Sequence, residues 1–315
     1  MATYYLQDSA IHSAIALGEE GPRDLWVPDI CMPAESDRPI EEYILLGSVP
    51  GFEKWEGRRR RERIRQAKIL VVNEDYDATL AIRKNDLRRG KGAALNLLIN
   101  RFWAKSEIHW RKLVTTLIED GETGLAYDGK AFFATDHEWG DSGAQSNLLT
   151  INIADYPAEV HGTAPLPSIE EAAFVMMDII NALLGLVDDK GEPMNEDMQK
   201  VLIMTPTSLT GIFRTAATAE TFGPGKPNPL NGMVDEIRVA GNPRLTWTTD
   251  ICGFRADAQN FPFIKQSLDE VEQEYLGLDS EHCKKEKEVL YIVDASRQVA
   301  YLDPRVAIKV KMTVS

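Results

Sequence analysis

Asp136-His137, with Asp141 close behind, is the strongest candidate in this sequence for metal or acid–base chemistry. Two carboxylates and an imidazole are donors a divalent cation accepts, and imidazole changes charge near neutrality. A metal centre needs further converging ligands, and the nearest other histidine is His161. An Asp-His pair in a loop more commonly caps a turn. A metal-dependent hydrolase built on Asp136, His137 and Asp141 therefore stands as the least favoured alternative. Gly223-Pro-Gly-Lys226 looks superficially like a phosphate loop, but Pro227 stands where Ser or Thr is required, and Pro removes an N–H such a cradle uses. Neither a Gly-x-Ser-x-Gly elbow nor a His-Glu-x-x-His helix is present. Cys31, Cys252 and Cys283 are odd in number and far apart, which fits reduced thiols and no metal ligand set. The expectation is a protein that is no enzyme, with no cofactor, no metal and no catalytic residues.

Charge narrows the partners. The 315 residues carry 49 acids against 35 Lys and Arg, a net charge of −14. Affinity for nucleic acid comes largely from neutralising phosphates, so this balance disfavours tight general DNA binding. Against it stands the run Arg58-Arg59-Arg60-Arg61. Three readings stay open: a nucleic-acid contact, a solvated face, or contact with acidic surface on another copy. Arg88, Arg89 and Lys91 pose the same question, because they precede a long helix whose N-terminus disfavours cations. The start of the chain lacks signal-peptide character, and no run of about 18 apolar residues occurs, so a soluble, cytosolic product without a membrane span is expected.

The elements that must position these residues form a mixed, interleaved α+β pattern. Pro22, Pro28, Pro33 and Pro39 break up the first 45 or so residues, which nevertheless carry Trp26, Ile30, Tyr43, Leu45 and Leu46. Such a segment is expected to lie along another surface. Lys68–Val72 and Tyr76–Ile82, joined by Asn73-Glu74-Asp75, read as a long β-hairpin that needs outside support. Apolar residues at three- and four-residue steps from Leu95 to Ile118 predict a helix over 92–120, roughly 40 Å long. Ser168-Ile-Glu-Glu171 is a capping box opening a second helix. Val201–Met204 reads as a buried strand, with Pro206 opening a helix through Phe213. Leu290–Val293 and Val306–Met312 are closing strands.

This order resembles the Hong Kong 97-like capsid fold of tailed bacteriophages, and particular residues resemble its Mu-type (T protein) major head subunit family. They are Tyr43-Ile-Leu-Leu-Gly47 with Pro50, Phe52-Glu-Lys-Trp-Glu-Gly-Arg58, Tyr76-Asp-Ala-Thr-Leu-Ala-Ile82, Asp128-Gly-Lys-Ala-Phe-Phe133 with His137, and Ser146-Asn-Leu148. Asn228-Pro-Leu230, Pro243-Arg-Leu245 and Tyr291-Ile-Val-Asp-Ala-Ser-Arg297 continue it. The basic run after Gly57 and the acid- and lysine-rich stretch 270–288 depart from the family pattern.

The resemblance implies an N-terminal arm at 1–45, an extended loop at 46–91, and a spine helix with peripheral domain at 92–164. An axial domain at 165–255 and returning peripheral strands at 256–315 complete it. It implies a major capsid protein that self-assembles as hexamers and pentamers into an icosahedral shell around the phage genome. Portal, scaffold and decoration proteins are further implied partners, with packaged DNA touched only weakly and non-specifically. The location would be the virion, after the host cytoplasm. An encapsulin-like compartment shell is the alternative. Contacts between copies are expected at Trp26, Tyr43, Trp55, Arg58, Arg59, Arg60, Arg61, Arg88 and Arg89. Lys68, Lys84 and Asn85 lie in the implied loop, and no Lys–Asn crosslink is expected.

Overall fold

The computed structural model describes residues 26–48, 64–88, 92–223, 226–268 and 272–314. Its elements, in chain order, begin with α1 (Val27–Ile30), β1 (Cys31–Glu35), β2 (Ile40–Leu46), β3 (Gln66–Val72), β4 (Glu74–Arg83) and α2 (Lys84–Arg88). The long helix α3 (Gly92–Glu119), β5 (Leu148–Asn152), α4 (Ile169–Gly185), β6 (Lys200–Pro206) and α5 (Thr207–Thr218) follow. A two-residue-scale hairpin, β7 (Thr221–Gly223) and β8 (Lys226–Pro227), leads into β9 (Glu236–Asn242), β10 (Asp250–Arg255), β11 (Phe263–Ser267) and β12 (Glu272–Leu276). α6 (Glu281–Glu286), β13 (Glu288–Tyr301) and β14 (Ala307–Thr313) close the chain.

One five-stranded sheet has the order β5-β14-β10-β6-β9 and is covered on both faces. Val201, Ile203, Ile251, Ile308 and Val310 face α4 and α5, packing on Val175, Ile179, Leu183 and Phe213. Leu202, Met204, Cys252 and Phe254 face the other way, onto Trp110, Val114 and Ile118 of α3. Burial on both sides explains why Val201–Met204 is an uninterrupted apolar run. Each such side chain contributes roughly 1.5–3 kcal/mol of burial. At Gly253 a Cβ would stand 2.2 Å from Ile179, so only glycine lets α4 approach β10 this closely. The capping box is present as expected: Glu171 N–H donates to Ser168 Oγ, and Ser168 N–H to the Glu171 carboxylate.

The second sheet runs β1-β11-β13-β12, with β4 also paired to β13. The fourteen-residue β13 is its axis. Ten of its residues pair antiparallel with β4, from Glu288↔Arg83 to Arg297↔Glu74. Tyr291 and Val293 point inward beside Ile82, with Phe102 of α3 packed edge-on to Tyr291 at 5.7 Å. The spine helix, expected over 92–120, spans Gly92–Glu119 and bridges the two sheets.

Two expectations are corrected. β3 and β4 exist, but they are not the two arms of one hairpin. β3 pairs antiparallel with β2, Ile40↔Val72 to Leu46↔Gln66, and β4 pairs with β13. Asn73 alone separates β3 from β4, too short a link to reverse the chain. Instead it pins a crossing between two sheets: its Nδ2 donates to the Arg38 carbonyl at 3.3 Å, and its Oδ1 accepts from Gln266 Nε2 at 2.8 Å. The second correction concerns Trp26, expected to find its cover on a neighbouring copy. Trp26, Val27 and Ile30 are buried in the chain's own core beside Trp110, Val114 and Ile118. Pro28 does not break this segment, because it occupies the first turn of α1, where its missing N–H costs nothing. Pro33 likewise fits β1, which among the described residues is an edge strand paired to β11 alone.

Candidate functional site

The residues that looked capable of chemistry do not converge. His137 is buried, its Nδ1 2.7 Å from Asp128 Oδ2 and its Nε2 3.2 Å from the Phe132 carbonyl oxygen. Both ring nitrogens thus face acceptors within the chain. Asp136 pairs with Lys130 at 3.0 Å and Asp141 with Arg65 at 3.4 Å, each pointing to a different partner. Among the described residues no group of three His, Cys, Asp or Glu could hold a metal ion. The hydrolase alternative loses its ligand set on this geometry. Lys226 of the would-be phosphate loop is ion-paired to Glu159 at 2.5 Å. The three cysteines are free thiols and buried, and burial pushes the Cys252 thiol far up.

His137 instead belongs to a joint. Asn147 donates through Nδ2 to the carbonyls of Phe132 (2.7 Å) and Pro304 (3.0 Å), while its Oδ1 accepts from Ala134 N–H. Arg305 makes a buried two-pronged pair with Asp303 (both 2.9 Å) and lies 4.3 Å over the Trp139 ring. Asn195 ties Leu183 to the Arg305 carbonyl. Fully buried Arg255 donates to Asp257, Asp197, Asn195 and Gln259. Asn228 caps the last carbonyls of α5, from Ala216 and Ala219. Several of the motif residues singled out in the sequence, Asp128, His137, Asn147, Asn228 and Arg297 among them, thus clamp one part of the chain to another. Sequence reasoning missed Arg255 and Arg305, since residue type alone does not announce a buried, saturated guanidinium.

What the body leaves unfinished is a surface. The β2–β3 ribbon presents Tyr43, Leu45, Ile69 and Val71 to Ile264, Leu302, Met32 and Ala34 of the second sheet. Its opposite face carries Ile40 (56% exposed), Ile44 (51%), Leu46 (56%), Leu70 (66%) and Val72 (52%). Strand alternation puts these five on one side, together with Gln66 and the Glu42–Lys68 ion pair (2.7 Å). Five large aliphatic groups in one exposed row exceed the scattered apolar residues normal on a surface. The ribbon lies along the body and is anchored at its end, where Ser48 N–H donates to Asp189 Oδ1 at 2.7 Å and Arg65 approaches Asp189 at 3.8 Å. Tyr43, expected at an interface, is half-buried against the chain's own body; burial, then Glu41, raises its pKa, and its hydroxyl has no hydrogen-bond partner among the described residues. Trp55, Arg58, Arg59, Arg60, Arg61 and Arg89 lie outside the described residues; Arg88 ends α2, and its side chain is outside the description.

This architecture is similar in fold to solved subunits of virus capsids. Over 100% of the chain and 76% of the other, it matches the procapsid of bacteriophage JBD30, with a TM-score of 0.55 and 14% identity. The capsid of Cyanophage P-SCSP1u matches with a TM-score of 0.56 and 9% identity, over 90% of this chain and 87% of that one. A virus-like particle from Pyrococcus furiosus matches at 0.54 and 10%, over 96% and 98%. The fold is the Hong Kong 97-like capsid fold, α+β in class.

Sequence places the front half more narrowly. Residues 16–158 match the family described as "Mu-like prophage major head subunit gpT". The major capsid protein of Escherichia phage Mu is 23% identical over 108 residues, 34% of this chain and 35% of that protein. The Mu-like prophage FluMu major head subunit of Haemophilus influenzae (strain ATCC 51907 / DSM 11121 / KW20 / Rd) is 26% identical over 128 residues, 40% of this chain and 42% of that protein. The matched stretches thus span well under half of these curated relatives. The Mu-type resemblance carried by the motifs holds at this level.

Proposed function

We propose that this chain is a major capsid protein of a Mu-like phage or prophage, a non-catalytic subunit that assembles with copies of itself into an icosahedral shell around the genome. The observation that carries this reading is the exposed aliphatic face of the β2–β3 ribbon, a surface that no described residue of its own chain covers. Large apolar area of this kind is what obligate interfaces between subunits bury. Trp55 and Arg58 to Arg61 lie between β2 and β3 in sequence, and this reading has them reach acidic surface on a neighbouring copy. Arg88 and Arg89 are assigned the same kind of partner.

On this reading residues 46–91, with β2 paired to β3 at their start, act as the extended loop, α3 as the spine, and the helix-covered sheet with α4 and α5 as the unit that meets its equivalents at fivefold and sixfold centres. Portal, scaffold and decoration proteins would be partners, and the virion the destination after the host cytoplasm. The −14 charge suits a wall that holds DNA without gripping it. The Pyrococcus furiosus particle keeps a second reading alive, a compartment shell without a genome, since fold alone does not separate the two. Electron microscopy and sedimentation of the expressed chain, alone and with the proteins encoded beside it, test the first reading. Closed shells that package DNA support it. A chain that stays monomeric under every condition favouring association refutes it.

A further inference from the structure

Between α3 and the β4–β13 ladder runs a half-open groove of about 310 Å³. Its floor is apolar: Phe102, Ala78, Val293 and Ala295. Its rim is cationic. Lys105 and Lys112 stand exposed along α3, and Arg297 is buried beneath, donating to the Ser106 carbonyl at 3.1 Å. His109 sits between them, packed edge-on against Tyr76 with ring centroids 4.4 Å apart. Burial, then the Arg297, Lys112 and Arg244 cations, holds His109 below its ordinary value. Among the described lining residues Asp77 is the carboxylate, and Tyr76 donates to Glu74 Oε2 at 2.7 Å beside it. A concentration of cations around an apolar slot is out of character for a chain with 49 acids and 35 bases.

We propose that this groove is a docking site for an extended acidic peptide segment of a partner protein, its carboxylates on Lys105 and Lys112 and one aromatic or aliphatic side chain on the apolar floor. Charge complementarity selects the sign of the ligand. The floor selects its class. Single-stranded nucleic acid would use the cations, but it needs open ring faces for stacking. Here Tyr76 and His109 are packed on each other, and Phe102 is packed on Tyr291. Ala78, Val293 and Ala295 offer an aliphatic wall that fits a side chain and gives a base nothing to stack on. A polyanion also meets the repulsion of the whole acidic chain, which a short peptide largely avoids. The inference goes beyond the shell reading and does not depend on it, since binding is measured on the unassembled chain and shell formation by microscopy.

The probe is the acetylated, amidated pentapeptide Asp-Glu-Phe-Asp-Glu, with Asn-Gln-Phe-Asn-Gln, Asp-Glu-Gly-Asp-Glu and a twelve-nucleotide oligo-dT as comparisons. Affinities are read by calorimetry at low and moderate salt. The acidic Phe peptide binds best, and salt weakens it. The double variant Lys105→Glu/Lys112→Glu, at exposed positions, binds at least about tenfold more weakly, while Lys105→Arg/Lys112→Arg retains binding. Bound peptide also raises the His109 titration midpoint, followed by NMR, because a carboxylate then faces the imidazole. Equal binding of the neutral peptide, insensitivity to the Glu variant, or an unmoved His109 overturns the proposal. So does tighter, lysine-dependent binding of oligo-dT, or a groove that proves to be filled by a second copy.

Discussion

Ile69–Val72 and Val201–Met204 are two four-residue apolar runs that read alike and end differently. In β6 both faces of the run are covered within the chain, alternate residues going to α4 and α5 on one side and α3 on the other. In β3 only Ile69 and Val71 are covered; Leu70 and Val72 face outward, and β2 repeats the pattern with Ile44 and Leu46 outside. An uninterrupted apolar strand specifies two covers without saying which molecule supplies the second. Where the described residues deliver one cover only, as at β3, the proposed reading gives the second cover to another copy.

The same substitution in both runs is the most forceful test of that difference. Leu202→Lys places an unpaired ammonium where the side chain is fully buried, and we expect a loss of more than about 4 kcal/mol, enough to abolish soluble folded protein. Yield and circular dichroism of the unassembled chain give the answer, and a folded Leu202→Lys protein would break the two-cover reading of β6. A slightly smaller effect is expected of Trp26→Ala, about 3–5 kcal/mol by denaturant unfolding. It decides whether the front segment belongs with β6 or with the ribbon: a variant that folds normally and fails only to assemble would return Trp26 to the interface.

Leu70→Lys sharpens the comparison from the other side. Its partner across the ladder is Glu42, so the new cation meets an opposite charge, and folding stability changes by no more than about 1 kcal/mol. Assembly, scored by sedimentation, is nevertheless lost, because docking would desolvate that charge. Wild-type assembly by Leu70→Lys, or unfolding of the variant, would each contradict the assignment of this face.

Periodic and local features were the readable ones. The spine helix was legible almost to the residue, because its apolar spacing persists from Leu95 to Ile118, and α4 announced itself through a capping box that depends on four adjacent positions. Strand partners were not legible. β4 finds β13 over 200 residues away, and the local turn chemistry of Asn73-Glu74-Asp75 pointed to a hairpin that long-range pairing overrode. Pro28 misled for a related reason: a proline disfavours helix interiors yet fits a first turn, and only the structure says which position it holds. At the candidate surface, Tyr43, Leu45 and Leu46 stood out as apolar groups in need of cover, but which of them the body would take depended on the face each strand turned inward. The buried clamps, Arg255 with Asp257 and Asn147 with Pro304, were invisible because their partners are set by the fold, not by spacing.

The smallest effect expected lies at the doubly covered sheet, where Glu122 closes the end of β14 against Lys309 (2.7 Å) and Lys311 (2.5 Å). Burial pushes its pKa up, but hydrogen bonds from the two lysines outweigh that and hold the net value below the ordinary 4.5. A carboxylate depressed in the folded state adds stability that is complete above its unfolded value and disappears as pH falls through the folded one. The wild-type chain should therefore lose stability on acidification below about pH 4.5 through this group, by denaturant unfolding across a pH series. Glu122→Gln should be less stable at neutral pH and show a shallower acid limb, the two chains converging at the acid end. The ribbon's Glu42–Lys68 pair, exposed on both sides, should give no such difference in Glu42→Gln, since water and salt screen it. Equal acid limbs in Glu122→Gln and wild type would mean that the covered sheet, too, leaves its charges to solvent.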